Sequence, residues 1–389
     1  MSFARRGDDV RAELGALASQ VHPVFMLPPL AASVFGAVIA GSFAAVPLAC
    51  HALAAFFAVY TAHVKDGYVD FYGRGEDDDH PMTEAGCRRA LAGATLGFVT
   101  VTVALGAVAG AGTALLAIPM WLVGFLHAPQ FDTNPVTTTL GYPFGIGLAI
   151  VGGYYAQAGA LVAEPLAYGV VFLVTLAGVK IIDDSTDYEY DRSIAKRTVA
   201  VALGRRQARR LAYALLYAGF TLVVVFSVDG LFPPSAPLAA IAFGAVAIPA
   251  SRADATLATK LLIRGAYVFL ALLVVAVCFR PLAGLPLPDI GVLGPYTYLT
   301  TEIAFGALAV VLLVRARAVG RALMTVLVLY PLAFVWDWYT LEVGVFAIPL
   351  RTGVELFGVP LEEHLFMLVV PALVLGVHET LAGLRADTE

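Results

Sequence analysis

Charge is scarce in this chain. Only 14% of its 389 residues are Asp, Glu, Lys or Arg, against roughly 25% in a soluble domain, and that shortage excludes an ordinary water-soluble globule. Cysteine is scarcer still: Cys50, Cys87 and Cys278 stand far apart and form no CxxC pair. Neither a disulfide framework nor a cysteine-based zinc site is therefore expected. Positive charge is not in excess, since 24 Lys and Arg face 29 Asp and Glu for a net charge of −5, which argues against nucleic acid as a partner. Arg5 and Arg6 are followed by Asp8, Asp9 and Glu13 with no small-residue cleavage site, so no removable signal peptide is expected.

What the chain has in abundance is apolar sequence, 60% of all residues. A hydrocarbon core takes about 20 apolar residues per helix. Segments of this kind are read at 24–45, 46–64, 90–110, 112–127, 142–162, 165–182, 209–228, 236–250, 261–280, 295–314, 322–338 and 362–382. The expected fold is an all-α polytopic membrane protein of about twelve spans; the fourth and eighth are short and rich in Gly and Ala. With the N-terminus cytoplasmic, all but Arg280 and Arg351 of the 24 Lys and Arg residues fall on the cytoplasmic side. That asymmetry is what the positive-inside rule demands, and the cell membrane is the expected location.

Two acid-rich stretches stand out, each directly after an apolar segment. One reads Asp66-Gly-Tyr-Val-Asp70, then Glu76, Asp77, Asp78 and Asp79; the other carries Asp183, Asp184, Asp187, Glu189 and Asp191, followed by Lys196-Arg197-Thr198. Asp183, Asp187 and Asp191 recur every four residues, so a continuous helix would present all three carboxylates from nearly one face. Such carboxylates repel unless a cation sits between them. Oxygen-only clusters suit Mg²⁺, which takes one or two carboxylates together with phosphate oxygens. The expectation is a Mg²⁺–diphosphate site at a membrane surface, with Lys196, Arg197, Arg74 and Lys65 available to hold the diphosphate.

Asp184 and Glu189 fall off the shared face and are expected to be solvated, as is the run from Glu76 to Asp79. His51, His63, His127 and Asn134 are candidates to line an acceptor cavity or to bond between helices. Tyr154 and Tyr155 are candidates to stabilise a cation through their rings or to sit in an interfacial belt.

Asp183-x₃-Asp187-x₃-Asp191 with Lys196-Arg-Thr198-Val-Ala-Val-Ala-Leu-Gly204 resembles the UbiA superfamily of intramembrane prenyltransferases over about residues 15–280. The resemblance implies a nine-helix bundle with two Asp-rich loops, Mg²⁺ held by Asp66, Asp70, Asp183, Asp187 and Asp191, and an allylic diphosphate substrate. The first motif departs from the family pattern, because Arg74 occupies its third acidic slot, with Glu76 or Asp77 as replacements.

A Pro- and Gly-rich stretch between Arg280 and Pro295 breaks any helix. It divides the chain into residues 1–280, a linker at 281–294, and 295–389. Tyr296-x-Tyr298-Leu299, Asp337 and Pro360-Leu-Glu362-Glu363-x-x-Phe366 resemble a lycopene cyclase domain. That resemblance implies a three-helix unit in which Asp337, Glu362 and Glu363 protonate a terminal polyene double bond. The cyclase family uses two such units, so a homodimer or a second cyclase subunit is implied here. Together the two resemblances imply prenyl transfer, from dimethylallyl diphosphate, to a carotenoid such as lycopene, with end-group cyclisation or carotenoid binding by the second unit. The alternatives are a quinone or archaeal lipid acceptor, or a non-catalytic carotenoid-binding membrane protein.

Overall fold

The computed structural model describes residues 3–7, 9–75, 78–194, 196–285 and 289–386. Glu76 and Asp77, the expected replacements in the first acidic motif, lie outside them. The chain divides into two compact units, Met1–Ala283 and Gly284–Glu389.

In the first unit α1 (Val10–Ala18) starts where Asp9 accepts the Ala12 N–H, and α2 (Pro23–Ile39) follows at a 66° bend with Pro at its first turn. Then come α3 (Ala45–Tyr68), α4 (Glu84–Ala109), α5 (Ala111–Leu126), α6 (Pro135–Ala158) and α7 (Ala163–Asp184). Two short helices, α8 (Tyr188–Ser193) and α9 (Val199–Leu203), lead into α10 (Arg205–Val228), α11 (Pro237–Ala250) and α12 (Ala255–Phe279).

Every apolar segment read from the sequence corresponds to a helix. Among the described residues nine helices are long and apolar enough to cross a membrane, and the bent pair α1–α2 adds a tenth. The two remaining segments are the short apolar helices α5 and α11. The chain is an integral membrane protein. Helix α2 ends at Ile39, earlier than the segment 24–45 implies, because the backbone turns through Gly41 at φ 67°, a conformation that costs glycine little.

The core of this unit is aromatic. Tyr168 of α7 stacks on Phe232 at 3.8 Å, and Phe172, Phe220 and Phe243 pack at tilted angles against Phe269. Backbones approach closely where glycine allows it. A Cβ on Gly36 of α2 would collide with the Ile150 carbonyl of α6, and one on Gly153 with the Ser33 carbonyl. Small residues at such crossings are the usual basis of helix association in lipid. Leu96, Val103 and Ile241 point outward, towards acyl chains in a bilayer.

Two local departures shape the acidic motifs. Helix α3 runs on into a widened π-helical turn, Val69–Arg74, and stops at Gly75 with φ 66°. The second motif is not one helix: α7 ends at Asp184, the chain turns over Ser185–Asp187, and α8 begins at Tyr188. Ser185 and Thr186 donate their hydroxyls to the carbonyls of Ile181 and Asp183, and such side-chain bonds compete with helix continuation. Carboxylates at a helix C-terminus oppose its dipole as well. The single helical face expected for Asp183, Asp187 and Asp191 is therefore replaced by a turn.

The second unit holds α13 (Thr297–Arg315), α14 (Val319–Glu342) and α15 (Leu361–Ala386). A short antiparallel hairpin, β1 (Glu355–Leu356) with β2 (Val359–Pro360), precedes α15. Helix α13 packs along α15 through Gly306 and Gly376. Only 6% of the apolar window of α14 is buried, so most of this helix offers its side chains outward.

Candidate active site

Helices α2, α3, α5, α6, α7 and α12 enclose a cavity of about 350 Å³. Its walls are apolar and aromatic, including Phe25, Met120, Ile146, Phe172 and Leu270. Its polar lining consists of His63, Asp66, His127, Lys180, Asp183 and Lys196 together with His22 and two tyrosines. The fold thus brings one carboxylate from each acidic motif, and one of the expected basic residues, to a single apolar cavity. Tyr142 and Tyr267 line it too, with their hydroxyls donated to the Phe25 and Val24 carbonyls at 3.2 and 2.9 Å. Those bonds fix both rings.

Around Asp183 the charges interlock. Lys180 forms an ion pair with Asp184 and lies 3.7 Å from Asp183. Asp184 is 5% exposed and its second oxygen has no partner, so the expectation of a solvated side chain is corrected. Asp184 is the last residue of α7, and the i,i+4 spacing along that helix sets its carboxylate against Lys180. Glu189 is solvated as expected, with only a long 3.6 Å pair to Arg205. Asp191 is buried, 4.0 Å from Lys196. Burial, reinforced by Asp184 and Asp187 and opposed by Lys196, pushes its carboxyl up to about 6.

The first motif is organised around Arg74. Its guanidinium pairs with Asp70 at 3.3 Å and with Asp132 at 3.1 Å. Asp132 is 4% exposed and lies in the turn Phe131–Thr133 between α5 and α6. Its carbonyl oxygen also accepts the Arg197 N–H at 2.9 Å. Asp132 therefore ties the loop after α3 to the segment after α8. Sequence reasoning missed it; the available signal was a lone acid between two apolar helices, which is rarely without a role.

Arg74 is thus engaged by carboxylates, not turned to the cavity as a diphosphate ligand. Lys65 is engaged as well: it donates to the Phe125 carbonyl and to Gln130 Oε1 at 3.0 Å, and lies over the Phe125 ring. Lysine near the last carbonyls of α5 is favoured by the helix dipole. Arg197 is exposed and does not line the cavity.

Of the other candidates, His63 and His127 line the cavity. His51 instead bonds Ser33 at 2.6 Å, and Asn134 caps α6 by accepting the Val136 N–H. Tyr154 and Tyr155 are not among the lining residues.

The donor set fits Mg²⁺. Its groups are hard oxygens in excess over the cations beside them, and an Asp184 oxygen is buried without a partner. Among the described residues no three acids or histidines gather tightly enough to hold a metal by themselves. Mg²⁺ commonly relies on one or two carboxylates and takes its other oxygens from phosphate and water.

In the second unit the carboxyl groups of Asp337 of α14 and Glu363 of α15 lie close enough to act on each other. Glu302 of α13, 8% exposed with one oxygen unpartnered, is near enough for its charge to act on Glu363. Glu362 is directed elsewhere, accepting the Thr352 N–H and hydroxyl at 2.6 and 2.7 Å. His364 contacts the Leu356 carbonyl through Nε2 at 2.9 Å and the Tyr330 hydroxyl through Nδ1 at 2.7 Å. A carbonyl only accepts, so the proton is assigned to Nε2 and Nδ1 accepts from Tyr330.

Residues 85–273 match the UbiA prenyltransferase family. The match includes the second acidic motif and begins after the first. A digeranylgeranylglyceryl phosphate synthase is similar in fold, with TM-score 0.55 and 13% identity over 68% of this chain and 99% of that one. A UbiA homolog from Aeropyrum pernix K1 gives 0.54 and 16% over 66% and 98%. One from Archaeoglobus fulgidus bound to Cd²⁺ gives 0.51 and 17% over 68% and 98%. At these identities the likeness is one of fold. No curated protein matches the chain.

Proposed function

We propose that the first unit transfers a prenyl group from an allylic diphosphate, dimethylallyl diphosphate in the first instance, to a carotenoid such as lycopene. The observation that carries the transfer reaction is the meeting of Asp66, Asp183 and Lys196 at one apolar, aromatic-walled cavity. Asp66 and Asp183 would hold Mg²⁺, with Asp70, Asp187 and Asp191 in reserve on the same two loops. Bound Mg²⁺ supplies positive charge that makes diphosphate a better leaving group. Lys196 orients the diphosphate by a charge-assisted hydrogen bond. The allylic C–O bond breaks with its electron pair on the diphosphate oxygen. Phe25, Phe172, Tyr142 and Tyr267 exclude water and face the resulting cation with their π-systems. The acceptor's terminal alkene then forms the new C–C bond, and a proton is lost.

The carotenoid acceptor is supported by the second unit, where three helices bring the carboxyl groups of Glu302, Asp337 and Glu363 near one another. Asp337 and Glu363 would protonate a polyene end, and ring closure with proton loss returns the proton. A homodimer or a second cyclase subunit would supply the other half of such a site. The charge asymmetry supports a cytoplasmic N-terminus and cytoplasmic Asp-rich loops.

Expression in a lycopene-producing host tests the reading, comparing the whole chain with one truncated at about residue 285. Elongated carotenoid from both assigns transfer to the first unit. Unaltered lycopene from both, with transfer to a quinone or an archaeal glycerol lipid by the purified protein, moves the acceptor to those classes.

A further inference from the structure

Helix α10 begins Arg205-Arg206-Gln-Ala-Arg209-Arg210 before its apolar run, and the prenyl-transfer site uses none of these arginines. Arg206, Arg209 and Arg210 line a separate concavity of about 570 Å³ with Tyr213, Tyr217 and Ser251. Arginines at the end of a membrane helix are ordinarily explained by topology alone. Three observations go further here.

First, Arg209 is fixed in place: one terminal nitrogen donates to the carbonyls of Ala250, Ser251 and Ala253 where α11 ends. Second, Arg206 and Arg210 form no ion pair among the described residues, while the Tyr213 hydroxyl is withdrawn from water without a hydrogen-bond partner. A buried hydroxyl left unbonded is costly, and a phosphate oxygen would supply the missing acceptor. Third, the pocket lies where the apolar helix α11 ends, and Ser251 just past that end meets the arginines.

We propose that this pocket binds the phosphate of an anionic phospholipid headgroup, with Arg206 and Arg210 pairing with the phosphate oxygens and Tyr213 donating its hydroxyl. Tyr217 flanks the site.

The test is thermal unfolding of the purified full-length protein in neutral detergent, titrated with phosphatidylglycerol, phosphatidylcholine or inorganic phosphate. Phosphatidylglycerol should stabilise saturably, and phosphatidylcholine should not at the same concentrations. The variant Arg206→Gln/Arg210→Gln should shift the phosphatidylglycerol midpoint at least about tenfold, and Tyr213→Phe by about three- to tenfold, the loss of one hydrogen bond. A control, Arg11→Gln/Arg315→Gln, removes equal charge elsewhere and should leave the midpoint in place. Equal stabilisation by both lipids, an unchanged midpoint in Tyr213→Phe, or an equal shift in the control would overturn the proposal. Saturation by inorganic phosphate at millimolar concentration, abolished in the Arg206/Arg210 variant, would assign the pocket to a free phosphate species and overturn the lipid.

Discussion

The guanidinium of Arg74 meets the carboxylate of Asp132 at 3.1 Å, while the carbonyl of the same Asp132 accepts the Arg197 N–H at 2.9 Å. One residue between α5 and α6 thereby holds the loop after α3 with its side chain and the segment after α8 with its backbone. The two acidic motifs are registered against each other through a third loop that contains neither.

Asp132→Ala should therefore destabilise the protein by about 1–3 kcal/mol, because the half-buried Arg74 loses a charged partner. Transfer activity should fall as well, since the first loop is released. Arg74→Met/Asp132→Leu should recover most of the stability, as apolar replacement of a buried pair often does, without recovering the activity. A double-mutant cycle by thermal unfolding measures the coupling.

Asp183→Ala and Asp66→Ala should each lower prenyl transfer by at least about 10²-fold, the scale on which removing one electrostatic stabiliser acts. Glu189→Gln, whose side chain is 73% exposed, should leave the rate within about twofold of the parent, as an exposed pair contributes well under 1 kcal/mol. Product formation from radiolabelled dimethylallyl diphosphate reads both.

Asp191 sets a pH dependence. Its carboxyl titrates at about 6 in the folded protein against an ordinary 3.8, so folding favours the protonated form. The stability this group contributes is full below the ordinary value and is lost as pH rises through about 6. A cation needs the ionised form. Stabilisation by added Mg²⁺ should accordingly be small at pH 5 and grow through pH 6 to a plateau near pH 7. Thermal unfolding with and without Mg²⁺ across that range checks it, and Asp191→Asn should flatten the rise.

The two adjacent glutamates of the second unit should separate. Glu363→Gln removes the carboxyl that faces Asp337 and should abolish end-group cyclisation while leaving elongation unchanged. Glu362→Gln weakens the hold on Thr352, so Thr352→Val should reproduce its effect. Pigment analysis after expression in a lycopene-producing host distinguishes the two.

Gly36→Ala should destabilise the first unit by about 1–3 kcal/mol, the range for overpacking, because the added methyl meets the Ile150 carbonyl. Gly93→Ala, where a methyl meets nothing, is the control. Both are read by thermal unfolding in detergent.

The helices were legible in the sequence because the bilayer imposes a length and a polarity on each segment separately, and even the weak readings at 112–127 and 236–250 correspond to α5 and α11. The acidic motifs were legible because carboxylates beside membrane segments are costly unless held. Periodicity misled at Asp187 and Asp191, because a repeat of four describes a helix only while the helix lasts, and the hydroxyls of Ser185 and Thr186 end it; Asp184 is buried by its i,i+4 partner Lys180. Composition and local spacing thus determined a membrane-embedded helical chain with two acid-rich loops. Which carboxylates face the cavity, that Arg74 and Lys65 are held elsewhere, and that Asp132 joins the loops were decided by tertiary structure. Each of those outcomes depends on a partner far away in the chain, and a charge takes its role from the partner that burial brings to it.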